Sequence, residues 1–585
     1  MAGNDKNAGE TRPMAPANSY DFIVVGAGSA GCVLANRLTA SGEHTVLLLE
    51  AGGCDSNPWI HIPLGYGKHF TNPKVNWLYA NEPDDAVAGR RIPTPRGKVL
   101  GGSSSINGLV YIRGQQADYD HWRQLGCAGW SYDDVLPYFM KSEGQQRGPS
   151  EFHGADGPLA VSDRKTPHEL CEAFIAAAER LGYPRTDDFN GPDNDGFGYL
   201  QLTMRNGRRC SAAVAFLRPA EQRPNLTIVT DAHATRILFE GHRAVGIEYS
   251  RRGGLESARA DREVILSGGA VNSPQLLELS GIGAADRLRA HGIDVVADRP
   301  AVGENLQDHF SVRLNYRCTK PITLNDVLAN PLRGALELAR YAFQRDGYLT
   351  IGASAAAGFY RSDPALASPD IQVGLNLFSG DRLGEKLHPF SGFSSAVRLL
   401  RPESRGTIHI RSADPLARPE IRSNFLHRES DGRTLARACM MFREIVQTRP
   451  LADYVESEYA PGPSVSDAAG MLDYMRRTGA TSFHPVGTCR MGADDAAVVD
   501  PGLRVNGVER LRVVDASIMP TIVSGNTNAP AIMIGEKAAD MILADAAQPL
   551  RPRPEPVEGR GSLHPNLSRY PRPSTGSGRG PAGKR

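Results

Sequence analysis

An α/β fold in two parts is predicted by three features of the 585-residue chain. An apolar run, Phe22 to Val25, enters a glycine turn and then a helical pattern. Buried-strand patterns return at Val264 and at Leu511, and between them lies a long stretch of alternating polar and apolar residues. The first two features describe a Rossmann-like parallel domain that the chain leaves and re-enters, so it is discontinuous in sequence. The third describes an α+β domain built on an antiparallel sheet.

The turn is Gly26-Ala27-Gly28-Ser29-Ala30-Gly31. Its spacing fits a dinucleotide site: Gly26 takes the tight turn, Gly28 lets the backbone approach a pyrophosphate, and Gly31 lets the helix pack closely on the strand. The helix N-terminus then points unpaired amides at the phosphates. The next apolar run, Thr45 to Leu49, ends at Glu50-Ala51, about 20 residues past the glycines. An acid there accepts the ribose hydroxyls of FAD or NAD and repels the 2′-phosphate of NADP.

One hydrophobic core cannot serve a chain of this length, since single cores stop growing at roughly 250 to 300 residues. With 66 basic and 65 acidic residues the net charge is +1, and no bulk charge recruits nucleic acid or an anionic membrane. The eight cysteines show no CxxC pair and no regular spacing, so they fit free thiols in a reducing compartment, the cytoplasm. No apolar h-region opens the chain and no run of about 18 apolar residues interrupts it, which argues against secretion and against a membrane span. Residues 1–19 are expected to be a disordered leader, and 549–585, rich in Pro, Arg, Gly and Ser, a disordered tail.

Between these ends the nucleotide-binding part takes residues 20–157, 200–312 and 478–545, and the second part 158–199 and 313–477. A run from Pro95 to Gly108 (PRGKVLGGSSSING) offers backbone amides and hydroxyls for a second pyrophosphate or ribityl contact and leads into the apolar Leu109 to Ile112. Strands beginning at Leu226, Thr235 and Ala244 are expected to form a meander. Val264 to Leu266 returns to the buried parallel type and feeds a short helix, with Ser273 as N-cap, Pro274 at its first position and Gly281 as its stop. Leu511 to Val514 is a strand ending at Asp515, and a last helix runs from Ala529 to about Ala544.

Two polar clusters follow the alternating stretch, Ser482 to Gly492 (SFHPVGTCRMG) and Ser524 to Pro530 (SGNTNAP). With the N-terminal fingerprint, the PRGKVLGGSSSIN run and the GAVNSPQLLELSGIG run, they give the chain, from about residue 20 to 545, a resemblance to the glucose-methanol-choline (GMC) family of FAD oxidoreductases, most of all its bacterial alcohol dehydrogenases and choline dehydrogenases. The resemblance implies a flavin held between the two parts, with His484 as the catalytic histidine and Asn526 at the second substrate-facing position. The chemistry agrees: alcohol oxidation removes a hydroxyl proton and a carbon-bound hydride, so a neutral imidazole belongs beside the hydroxyl. On its own, Asn526 also fits a turn or cap asparagine before the last helix.

The implied FAD contacts fall on Gly26, Gly28, Ser29, Ala30 and Gly31, on Glu50 and Ala51, and on Trp77. In the second run they fall on Arg96, Val99, Gly101, Gly102, Ser103, Asn107, Gly108 and Val110. The remainder are Ala234, Gly269, Asp515, Ala516, Asn528 and Ala529. Ile106 stands where some members carry a histidine bonded to the flavin, so FAD is expected to be noncovalent. The implied reaction turns a primary alcohol into its aldehyde and passes electrons to a quinone or another acceptor, with peripheral contact to the inner face of the membrane. Choline dehydrogenation, an alcohol oxidase using oxygen, and a flavin-dependent lyase or photodecarboxylase are the alternatives, and a nicotinamide dehydrogenase is a more distant one.

Overall fold

The computed structural model describes residues 18–382 and 384–547. The expected tail lies outside these residues, as does the expected leader apart from Asn18 and Ser19. Ser19 already begins the first strand, Ser19–Val25.

Two seven-stranded sheets organise the chain. In the first, Ser19–Val25 lies between Val46–Leu49 and the C-terminal half of Gly254–Leu266, parallel to both. Leu511–Val513 adds a parallel strand on the far side of Val264 to Leu266. These strands are apolar without alternation because both faces are covered, and Ile23, Val24, Leu48, Ile265 and Val513 are fully buried.

The expected meander is partly corrected. Ala232–Glu240, Arg243–Arg251 and the N-terminal half of Gly254–Leu266 do form three antiparallel strands. Leu226–Val229 does not join them: it runs parallel to Val46–Leu49, with Leu226 opposite Val46. Four apolar residues identify a strand, but their sequence does not say which neighbour they pair with.

The helix Ser29–Leu38 packs between the first sheet and the last helix, Asn528–Ala546. A Cβ on Gly31 would lie 1.9 Å from the Gly26 carbonyl oxygen, so only glycine allows this approach of helix to turn.

The helix expected to be capped by Ser273 and to begin at Pro274 begins five residues earlier and spans Gly269–Leu279, which places Pro274 inside it. Pro274 has no N–H for the Ala270 carbonyl, and the Thr488 hydroxyl donates to that carbonyl instead, at 2.7 Å. Ser273 is not the cap; its hydroxyl donates to Asp515. The helix stops before Gly281, as expected.

The second sheet is antiparallel throughout, in the order Val455–Ala460, Phe310–Cys318, Gly392–Leu399, Ile371–Asn376, Ala356–Tyr360, Gly196–Tyr199. Ala480–Thr481 pairs with Phe310 and Ser311, so the second sheet takes residues on both sides of the limits drawn at 312 and 478. Along Phe310–Cys318 the side chains alternate. Val312, Leu314 and Tyr316 enter a core shared with the helix Glu429–Gln447, and Ser311 and Arg313 face a cavity between the two sheets.

Candidate active site

The cavity has a volume of about 320 Å³ and is lined from both sheets. On the first-sheet side its wall is two glycine turns in contact. The Gly101 amide donates to the Ala27 carbonyl at 2.8 Å, and a Cβ on Gly102 would sit 2.7 Å from the Gly28 Cα. Gly26, Gly28, Ser29 and Ala30 line the cavity from one turn, and Gly102, Ser103, Asn107, Gly108 and Val110 from the other. No side chain caps the first amides of the helix Ser29–Leu38, which leaves its N-terminus free for an anion.

One end of the cavity gathers Glu50, Ala51, Trp77, His233 and Ala234. The buried Glu50 carboxylate accepts from the amides of Ala27 (3.0 Å) and Gly52 (2.9 Å), which ties the acid to the glycine turn, while burial pushes its pKa up to about 7. Trp77 stacks on Tyr79 with the Lys98 ammonium over its ring. Gly269, Asp515, Ala516 and Asn528 line the middle. Asp515 accepts from the Gly269 amide and the Ser273 hydroxyl and so fixes the start of that helix; Asn528 accepts from the Ser29 hydroxyl at 2.8 Å.

Four of the expected contacts stand behind this wall. Gly31 and Gly101 shape the turns from the rear, Val99 packs with Ile60, Val75 and Ile106, and Ala529, in the first turn of the last helix, is buried in the core. Their influence on a ligand passes through the backbone they let approach.

His484 and Asn526 also line the cavity, as does Arg96, whose carbonyl accepts from the Trp77 amide. Phe483 holds φ +67°, unusual for a bulky residue, and is fixed there by the Thr481 hydroxyl on its amide (2.7 Å) and by Arg96 Nη2 on its carbonyl (2.6 Å). That turn presents His484 to the cavity. Behind it lies His309, which the sequence motifs did not single out. His309 Nε2 is 2.9 Å from the Leu400 carbonyl and must donate to it, so its Nδ1 is an acceptor. The 3.0 Å contact between the two Nδ1 atoms then requires His484 Nδ1 to carry the proton. Nε2 of His484 is left as a bare lone pair.

This lone pair faces Asn526 Nδ2 at 3.1 Å, and the Asn526 Oδ1 is buried without a partner. Asn526 does not cap the last helix, which has no side-chain cap. Burial, with the charges of Arg398 and Arg96 nearby, holds His484 well below the usual imidazole range, and burial takes His309 down to about 3. Both rings are neutral. The buried Asp308 accepts from the His484 amide (2.8 Å) and from the Thr481 hydroxyl, and burial raises its pKa to about 6. The arrangement offers a hydroxyl one acceptor and one donor, next to a cradle shaped for a dinucleotide.

These features define a dinucleotide-binding oxidoreductase fold, and the protein belongs to the GMC oxidoreductase family, whose N-terminal and C-terminal models match residues 20–311 and 402–535. Among its relatives, the alcohol dehydrogenase [acceptor] of Pseudomonas putida is 44% identical over 90% of this chain and 96% of its own length. The mitochondrial choline dehydrogenase of Homo sapiens is 44% identical over 91% of both chains. Of the solved structures, pyridoxine 4-oxidase from Mesorbium loti superposes with a TM-score of 0.81 at 33% identity, covering 89% of this chain and 98% of its own. A variant of Aspergillus oryzae formate oxidase gives a TM-score of 0.85 at 29% identity, covering 91% and 99%.

Proposed function

We propose that the protein oxidises a primary alcohol to its aldehyde with noncovalently held FAD. The observation that carries this reading is the bare Nε2 of a neutral His484 set 3.1 Å from the Asn526 amide in the cavity that holds a dinucleotide cradle. The residues fit FAD: glycine turns in close contact, uncapped helix amides for the pyrophosphate, and Glu50 for the ribose. FAD is preferred to NAD because the formate oxidase relative is described with FAD. When bound, FAD supplies the two-electron acceptor for the hydride.

The chain's own residues do the rest. A substrate hydroxyl entering between His484 and Asn526 donates its proton to Nε2 and accepts from Nδ2, which replaces the direct contact between the two side chains and fixes the oxygen. His309 holds the tautomer by accepting from Nδ1, and Asp308 holds the His484 backbone. Because His484 is already neutral, its own titration does not gate the reaction. Asp308 is ionised above a pKa of about 6 and balances Arg96, so the rate of flavin reduction is expected to be flat above about pH 7 and to fall as pH drops through about 6. In Asp308→Asn the acid limb should vanish, leaving a lower constant rate; a limb surviving in this variant would assign the titration to another group of the cavity, Glu50 or His484.

Ile106 lines the cavity and offers no nucleophile for a covalent bond. Acid precipitation is therefore expected to leave white protein and a yellow supernatant containing one FAD per chain; a yellow pellet would contradict noncovalent binding. The relatives are dehydrogenases and oxidases, which does not favour a lyase, and they differ in acceptor, one being named an oxygen-dependent choline dehydrogenase in Brucella suis. Steady-state assays with a quinone, a dye and oxygen, each with choline and with neutral alcohols, separate these alternatives.

The quinone reading is supported by the helix Pro331–Gln344. Among the described residues no helix is long and apolar enough to cross a membrane. On this helix, however, Leu332, Leu336 and Phe343 are 61–88% exposed along one face, with Arg333 and Lys165 exposed beside it. Co-sedimentation with vesicles containing anionic lipid is expected for the wild type and lost in Leu336→Glu/Phe343→Glu; equal sedimentation of both would remove the helix as a membrane contact.

A further inference from the structure

Past His484 and Asn526 the cavity runs onto the second sheet, where its charged lining is entirely basic. Phe310–Cys318 and Gly392–Leu399 are antiparallel neighbours, with Ser311 opposite Arg398 and Arg313 opposite Ala396. Arg313 and Arg398 therefore stand diagonally on one face of the sheet, and that face is the one turned to the cavity. Val312, Val397 and Leu399 point the other way, into the core.

Neither guanidinium meets a carboxylate among the described residues. Arg398 has one partner, the Gln372 side-chain oxygen at 3.2 Å, and its Nε has none; Arg313 Nη1 is buried without a partner. Arg164 likewise has buried Nε and Nη1 atoms without partners, but the most deeply buried arginines are satisfied. Arg113, Arg443 and Arg512 each hold a glutamate at 2.6 Å, and Arg209 is held by four contacts to oxygen atoms. Enclosed cations with unmet donors are costly unless something brings acceptors to them.

Nothing in the cavity wall does so. Its two carboxylates, Glu50 and Asp515, are engaged by backbone amides on the first-sheet side. Around the arginines the lining is Tyr66, Phe70, Ala353, Ser354 and Asn376. The pair does not serve a pyrophosphate, whose cradle of helix amides belongs to the first sheet. It lies close enough to His484 and His309 for the Arg398 charge to depress both.

We infer that the alcohol oxidised here carries an oxyanion, a carboxylate or a phosphate ester, which Arg313 and Arg398 bind while His484 and Asn526 hold its hydroxyl. The inference rests on the alcohol-oxidation reading and adds a substrate class to it. Planar guanidinium forks match both oxyanions in bidentate geometry. A quaternary ammonium substrate such as choline would instead enter a site with two unpaired positive charges and no carboxylate beside them.

The test uses the FAD-loaded enzyme with a dye acceptor and primary alcohols of equal chain length that differ only at the far end: carboxylate, phosphate ester, methyl ester, or, for choline, trimethylammonium. The acid or the phosphate is expected to exceed the methyl ester in kcat/KM by about 10²-fold, mostly through KM, with choline the poorest. Whichever anion leads names the source of the oxyanion. In Arg313→Met and Arg398→Met that preference should fall towards one, with flavin absorbance and melting temperature reporting the fold.

A second readout needs no turnover. A straight-chain alkanoate without a hydroxyl should perturb the flavin spectrum of the wild type, with Kd at least about 10-fold weaker in either variant. Equal kcat/KM for acid and methyl ester, or a preference for choline, would overturn the inference. If no alcohol reduces the flavin, the redox reading fails, and the alkanoate titration alone decides whether the anion site exists. If the variants do not fold, the wild-type acid-to-ester ratio and titration decide it.

Discussion

Replacing His484 with Ala is expected to slow anaerobic flavin reduction by about 10²- to 10⁴-fold, the scale of a positioned general base. The reason lies in the proton chain. His309 donates to the Leu400 carbonyl and accepts from His484 Nδ1, which leaves Nε2 as the group able to take the hydroxyl proton, and the Asn526 amide, a donor at that position, cannot replace it. The glycine turns, Glu50 and the uncapped helix make no hydrogen bond to the His484 side chain, so FAD content should survive. Asn526→Ala should slow reduction less, because it removes an orienting bond and leaves the base. Rapid-mixing absorbance of the flavin, with alcohol saturating and oxygen absent, isolates the chemical step from reoxidation. A wild-type rate in His484→Ala would remove this histidine from the mechanism.

Gly31→Ala is expected to yield protein with little or no FAD and a lower melting temperature. The new Cβ would fall 1.9 Å from the Gly26 carbonyl oxygen and 3.3 Å from the Ser267 Cβ. The helix cannot retreat easily, because its other side is packed on Asn528–Ala546, where Arg37 also pairs with the buried Glu536 at 2.7 Å. Overpacking at such a contact costs about 1–3 kcal/mol, and here it moves the amides that the pyrophosphate needs. Flavin-to-protein absorbance and thermal unfolding check both parts; normal values for each would mean that the turn has slack the geometry does not show.

What the sequence revealed and what it hid divide along a physical line. Gly26 to Gly31 and Glu50 were legible because they belong to a short local pattern whose chemistry follows from residue type and spacing, whereas His484 and Asn526 stood out only through the resemblance of their blocks to the GMC family. The parallel sheet was legible from unbroken apolar runs, and the antiparallel one from alternation. Partnership was not. Leu226–Val229 pairs across the chain with Val46–Leu49, the helix Gly269–Leu279 begins early because Thr488, more than 200 residues on, supplies the hydrogen bond that Pro274 lacks, and His309 reaches His484 across 175 residues.

Arg313 and Arg398 show the same limit from the side of specificity. Each is one basic residue in an alternating strand, and only the register of two antiparallel strands sets them on one face above the same cavity. Four expected cofactor contacts moved behind the wall for a related reason: in a glycine-rich motif, the residues that let the backbone approach are not always those that touch the ligand.

The most direct test of the account is anaerobic addition of a primary alcohol to the purified enzyme while the flavin band at roughly 450 nm is followed. Full bleaching, with one equivalent of aldehyde formed per flavin and colour restored by a quinone or dye, is the expected result. A band that stays unbleached by every alcohol tried, or a purified protein that is colourless and cannot be loaded with FAD, would contradict it.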